Sequence, residues 1–159
     1  MHQYQTIFNG LHSTFRYLVL ISVLVVMIQS LMGMQGKKTF TPGNRKAALL
    51  MQIFCDIQLL LGLAVYYFGG HLQAIKEGRA AADHYSRFYN IEHPVSMLLG
   101  IVLVHLAYGI AKKSMDSAPK FKRIFWYTFI ALFLFVAQTP WPGKKDIGRP
   151  FTPSFSFNQ

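Results

Sequence analysis

The chain carries little charge of either sign, and acidic residues are the scarcest class. Of its 159 residues, 16 are Lys or Arg and 6 are Asp or Glu, so only 14% are charged while 52% are hydrophobic. This composition leaves no room for a soluble domain with a charged surface. We interpret the formal net charge of +10 as loops lying on anionic lipid headgroups and not as a nucleic-acid-binding surface.

Cysteine is nearly absent. The single thiol, Cys55, excludes an intramolecular disulfide and a cysteine-based metal site. The sequence also lacks a nucleophile–base arrangement, a phosphate-binding loop and a cluster of metal ligands. We therefore expect no catalytic activity from the chain by itself.

Long hydrophobic runs make up most of the chain. Each run can cross a hydrocarbon core of about 30 Å as a helix of about 20 residues, and none shows the polar stripe of a soluble helix. The sequence predicts an all-α polytopic membrane protein, a four-transmembrane-helix bundle formed by residues 1–143. The predicted helices are residues 12–34, 46–69, 91–112 and 121–140. Residues 144–159 are predicted to form an extended aromatic tail that docks on a partner subunit.

Positive charge is concentrated in the first and third predicted loops. The residues are Lys37, Lys38, Arg45 and Lys46, then Lys112, Lys113, Lys120, Lys122 and Arg123. The positive-inside rule assigns these loops to the cytoplasm. Both termini then lie on the periplasmic side of a bacterial inner membrane.

Two histidines are predicted to share a depth near the outer face of the membrane. His12 lies at the start of the first helix and His93 at the start of the third, and these two helices run in the same direction. Arg16 follows His12 by one helical turn, and Arg87 is nearby in the second loop. Such a set predicts a haem b with His12 and His93 as iron ligands and the arginines near its propionates. The alternative is that both histidines bond loop backbone or lipid headgroups.

A second polar layer is predicted deeper in the bilayer. Asp56 on helix two and His105 on helix three both lie roughly 20 Å from the outer surface at 1.5 Å per residue. An aspartate at that depth costs at least ~2.5–3.5 kcal/mol, so we predict that the two form a buried polar pair. The pair could serve a proton or quinol site, or it could fix the register of the helices.

The order of motifs between residues 8 and 142 resembles a family of small four-helix bacterial membrane proteins often labelled cytochrome b-like. The motifs are Leu11-His12-Ser13 with Arg16, residues 56–63, Arg87-Phe88-Tyr89 with Glu92-His93-Pro94, Lys112-Lys113, and Pro140-Trp141-Pro142. The resemblance implies functional positions at His12, Arg16, Gln58, Arg87, Glu92 and His93. Asp56 stands where many relatives are expected to have histidine, which disfavours a haem ligand on helix two but does not affect His12 and His93.

Three functions follow as expectations. The first is a cytochrome-b-like subunit of a respiratory or redox membrane assembly, holding at most one haem b, with quinol as a candidate partner. The second is a cofactor-free accessory subunit of a larger membrane complex, attached by its tail and basic loops. The third is a small proton-coupled transporter that works as a homodimer through Asp56 and His105.

Overall fold

A computed structural model of the protein describes residues 2–152, with side chains from residue 3 onward. Within this range the chain is helical and has no β-strand. The elements are α1 His2–Gln35, α2 Pro42–Phe68, α3 His71–Lys76, α4 His84–Arg87, a π-helical turn Phe88–Glu92, α5 His93–Lys112 and α6 Ser117–Gln138.

Four of the described helical segments are long and apolar enough to cross a membrane. They are Gln3–Gln35, Pro42–Phe68, His84–Lys112 and Ser117–Gln138. The prediction of an all-helical chain with four helices long and apolar enough to cross a membrane is therefore confirmed for the described residues. The main difference is at the N-terminus, where α1 begins at His2 and not at residue 12, so that His12 lies well inside the helix.

The start of α2 is set by a capping box. The Thr41 hydroxyl accepts a hydrogen bond from the backbone N–H of Asn44, and the Asn44 side chain accepts one from the backbone N–H of Thr41. Pro42 follows in the first turn, where its missing N–H costs nothing. These residues start α2 before the predicted residue 46.

The four long helices form a ring in which each contacts two neighbours. Helix α1 packs against α2 and α6, and α5 packs against the same two helices. Small and branched side chains fill the centre of the ring. Core members are Val19, Val23, Val26, Met51, Cys55, Val104, Ala107, Ile124 and Ala131. The loops after α1 and α5 meet at one end, where the backbone N–H of Phe40 donates to Ser117 Oγ at 2.9 Å.

The third span continues through a π-helical turn that accommodates Pro94. Proline has no N–H to donate to the carbonyl four residues earlier, which belongs to Asn90. The Tyr66 hydroxyl of α2 donates to that carbonyl at 2.9 Å, so the freed acceptor is satisfied from a neighbouring helix. This bond ties α2 to the start of the third span.

Replacement of Tyr66 by phenylalanine should lower the free energy of unfolding by about 1–2 kcal/mol, because the Asn90 carbonyl then loses its partner. Tyr67→Phe is the matched control, since the Tyr67 side chain is exposed. Thermal unfolding of both variants in detergent tests this difference. Equal stability of the two variants would contradict a structural role for the Tyr66 bond.

The described part of the C-terminal segment folds back over the bundle. The backbone N–H of Arg149 donates to the Pro140 carbonyl at 3.0 Å, and the Tyr89 hydroxyl donates to the Ile147 carbonyl at 2.6 Å. Residues 144–152 thus form turns on their own bundle and not the extended tail that the sequence predicted. Phe155 and Phe157, which were part of that prediction, lie outside the described residues.

Candidate functional site

A cavity of about 410 Å³ lies among the four long helices, toward the end of the bundle that carries α3 and α4. Its volume falls in the range of about 300–1,000 Å³ that is usual for cofactor and small-molecule sites. Most of its lining is apolar. The polar side chains that line it are Asn9, His12, Ser13, Arg16, Gln58, Tyr66, His71, Tyr89, Asn90, His93, Thr139 and Arg149.

His12 and His93 meet at this cavity. Their ring centroids are 6.3 Å apart and their planes are inclined by 75°. His93 directs Nδ1 at the backbone carbonyl of Gln138 at a distance of 2.9 Å. Because a carbonyl only accepts, Nδ1 carries the proton, and the neutral ring keeps Nε2 as an unprotonated nitrogen. A backbone carbonyl at the far nitrogen is the usual way in which a protein orients a metal-binding imidazole.

His12 is held against α2 by Gln58 and Gly62. The Gln58 amide Nε2 donates to the His12 carbonyl at 3.1 Å and lies 3.3 Å from His12 Nε2. A Cβ at position 62 would come within 3.3 Å of His12 Cε1, so glycine leaves the space that the ring needs. Gln58 was marked in the sequence only by the family resemblance, and the structure brings it into contact with His12.

Three adjacent side chains of this site leave a buried polar atom without a hydrogen-bond partner. These atoms are His12 Nδ1, Arg16 Nε and Gln58 Oε1. A buried polar group without a partner costs about 1–3 kcal/mol, and native proteins contain few of them. These three atoms lie around one cavity, where water or a bound ligand could complete their hydrogen bonding.

Two arginines supply positive charge at the cavity. Arg16 is only 8% exposed and donates through Nη2 to the Tyr17 hydroxyl at 3.0 Å and to the Phe151 carbonyl at 3.3 Å. Arg149 donates through Nε to the Tyr89 hydroxyl at 2.9 Å. Among residues 3–152, neither guanidinium forms an ion pair with a carboxylate. The cavity therefore favours a ligand that carries negative charge at this end.

Arg87 does not take the place that the sequence predicted. Its Nε is 2.7 Å from Glu92 Oε1, both side chains are substantially exposed, and Arg87 does not line the cavity. Arg149 occupies the predicted position of the second cation. No local sequence pattern identified Arg149, because it reaches the cavity only through the turns that follow α6.

The cavity has a lateral opening between α2 and α5. Leu63 on α2 and Val95 and Leu98 on α5 all line it, and the side chains of all three are exposed. Exposed apolar residues on two spanning helices face lipid in a membrane. A ligand dissolved in the bilayer can therefore reach the cavity from the side.

Asp56 and His105 are in contact on the outer surface of these same two helices. His105 Nε2 lies 3.1 Å from Asp56 Oδ1. The two side chains are 43% and 44% exposed, so the pair is not buried as the sequence predicted. Both residues point away from the core, and they do not line the cavity that holds His12 and His93.

Comparisons with known proteins do not assign the chain to a group. No protein-family model matches it, and neither a curated protein nor a solved structure gives a significant match.

Proposed function

We propose that the chain is a cytochrome-b-like membrane subunit of a redox assembly and binds one haem b between His12 and His93. The distance between the two imidazoles carries this proposal. Two histidines that share one iron at about 2.0 Å from each nitrogen have ring centroids about 6 Å apart. The two rings here are 6.3 Å apart.

The surrounding residues fit the same group. The Gln138 carbonyl fixes the orientation of the His93 ring and leaves Nε2 available to a metal. Arg16 and Arg149 provide cations without carboxylate partners where haem propionates would need them. A mostly apolar cavity that opens toward lipid suits the porphyrin ring.

Bound haem would supply one-electron transfer, and the chain's own residues would hold and tune it. His12 and His93 would hold the iron. Gln58 would hold α1 against α2 through its hydrogen bond to the His12 carbonyl, and its amide would have to leave His12 Nε2 for that nitrogen to bind the iron. The arginines would stabilise the negative charge of the propionates.

We also propose a bacterial inner membrane as the location, with the haem end of the bundle on the periplasmic side. Support comes from the positive charge of the loops after α1 and α5, which lie together at the opposite end. The positive-inside rule then assigns that end to the cytoplasm.

A reduced-minus-oxidised visible spectrum with a pyridine haemochrome assay tests the proposal on protein purified in detergent with its native partners. We expect one b-type haem for each copy of this chain. A preparation that contains the chain in full amount but gives no b-type signal from it would overturn the proposal.

Arg16→Gln and Arg149→Gln should each lower the midpoint potential of the haem. Reduction adds negative charge, so loss of a nearby cation disfavours the reduced form by about 1–2 kcal/mol at roughly 10 Å and an effective dielectric constant of 20, which is tens of millivolts. Arg87→Gln is the matched control, because Glu92 already neutralises Arg87 outside the cavity. Potentiometric titration gives all three values. A shift in Arg87→Gln as large as in the other two variants would contradict the assignment of the cations.

A cofactor-free accessory subunit is the second candidate. The contact between Gln58 Nε2 and His12 Nε2 favours it, because an amide that already occupies this nitrogen can serve to join α1 to α2. Purification at fixed stoichiometry with larger subunits, without haem in the chain itself, is the result that this candidate predicts.

A further inference from the structure

The Asp56–His105 pair lies near the middle of the hydrophobic spans. Asp56 is 12 residues from the end of α2 at Phe68, and His105 is 12 residues from the start of α5 at His93. At 1.5 Å per residue, each lies about 18 Å from its helix end. Apart from the buried Arg16 on α1, the other described charges of the spans lie toward the helix ends, so this pair is an exposed polar spot on a hydrocarbon-facing surface.

The geometry of the pair requires a shared proton. His105 Nδ1 lies 2.9 Å from the Ile101 carbonyl, which can only accept, so Nδ1 is protonated. At the other side of the ring, Nε2 is 3.1 Å from Asp56 Oδ1. A hydrogen bond between these two atoms needs one proton, held by either the imidazole or the carboxyl group. With both protons engaged in this way, the pair offers a further ligand one acceptor, the second oxygen of the Asp56 carboxyl group.

Few membrane components can form a hydrogen bond with the Asp56–His105 pair within the hydrocarbon core. Lipid tails provide no hydrogen-bond partner, and phospholipid headgroups remain at the two surfaces of the bilayer. An exposed acid in hydrocarbon is costly, and such residues usually mark a functional position. A quinone differs from the other lipids because its polar ring is dissolved within the hydrocarbon and carries two oxygens that can accept or donate hydrogen bonds.

The pair also lies on the same face as the cavity opening. On α2, Asp56 and Leu63 are seven residues apart, and on α5, Leu98 and His105 are seven residues apart, which puts each pair on one helical face. Seven residues correspond to about 10 Å along the helix axis. A ring bound at Asp56 and His105 would thus lie about two helical turns from Leu63 and Leu98, which line the opening between the two helices.

We propose that Asp56 and His105 form the headgroup-binding element of a membrane quinone site on the α2–α5 surface. A quinol hydroxyl donates a hydrogen bond to the second oxygen of the Asp56 carboxyl group, and a quinone carbonyl accepts one when the Asp56–His105 bond opens and the shared proton turns to it. This proposal goes beyond haem binding and does not depend on it, because the pair and the cavity share no residue.

The test is equilibrium binding of decylubiquinone and menaquinone-4 to the purified protein complex in lipid nanodiscs. We expect saturable binding of at least one of them, weakened by about tenfold or more in Asp56→Asn and in His105→Gln, as loss of a hydrogen bond to a charged group implies. Asp116→Asn is the matched control, since it removes a carboxyl group from the exposed loop before α6. It should bind the quinone as the wild type does.

A photoreactive azidoquinone gives a second reading that needs no variant. Cross-links should map to α2 around Asp56 and to α5 around His105. Label confined to other segments, or equal affinity in the wild type and both pair variants, would overturn the proposal. So would loss of a co-purifying subunit in Asp56→Asn without saturable quinone binding to the wild type, which would identify the surface as a contact with that subunit. Haem content, measured on the same samples, separates failure of this site from failure of the haem proposal.

Discussion

Replacement of either His12 or His93 by alanine is expected to abolish the b-type haem spectrum. Under the haem proposal, each variant would remove one of the two histidines that hold the iron, and one imidazole alone would not give the low-spin b-type spectrum. His71 also lines the cavity, and its Nδ1 is bonded to Asn90 Oδ1 at 2.8 Å. The pyridine haemochrome assay and the visible spectrum of the purified variants measure the loss.

His84→Ala is the control for these variants. The His84 side chain is about half exposed, lies 3.9 Å from Asp146, and does not line the cavity. This variant should retain full haem content. Far-ultraviolet circular dichroism checks that the ligand variants remain helical, and added imidazole should restore part of the signal in His93→Gly by occupying the vacated space. Retention of the wild-type spectrum in His12→Ala or His93→Ala would refute the ligand assignment.

The sequence predicted which polar residues share a level along the bundle. Helices that cross a bilayer rise 1.5 Å per residue, so counting from the ends of the apolar runs gives depth directly. Residue counts placed His12 at the level of His93 and Asp56 at the level of His105. The members of each pair are in contact in the structure. The start of α1 was missed because residues 2–11 are too polar to belong to an apolar run. The rings of Tyr4 and Phe8 stack on Phe68 of α2, and this packing supports the additional turns.

The direction in which each residue faces around its helix could not be predicted in the same way. In a helix that is apolar on every side, no polar stripe distinguishes the face toward the bundle interior from the face toward lipid. The sequence therefore could not show that Asp56 is on the exposed face. The positions of the arginines depended on tertiary structure. Arg87 forms an ion pair with Glu92, five residues later in the chain. Arg149 reaches the cavity because its backbone N–H donates to the Pro140 carbonyl, which holds the chain after α6 against the bundle.

The packing of α5 on α6 depends on a glycine, and Gly100→Ala should be strongly destabilising. A Cβ at position 100 would overlap the ring of Phe135, which is 4% exposed and would have to shift toward the cavity that it lines. Insertion of a methyl group into a packed interface costs about 1–3 kcal/mol. The free energy of unfolding, measured by titration with sodium dodecyl sulfate in mixed micelles, should fall by that amount.

Gly109→Ala lies on the same helix and controls for the intrinsic effect of alanine. Nothing among the described residues lies within 4 Å of a Cβ at position 109, so this variant should keep or slightly raise the stability of the wild type. Phe135→Leu should restore part of the stability of Gly100→Ala, because the smaller side chain gives the new methyl group its space. That coupling assigns the cost to one contact between two helices. Equal stability of the two alanine variants would show that α5 can move away from α6 without loss, and the close approach at Gly100 would then have no structural role.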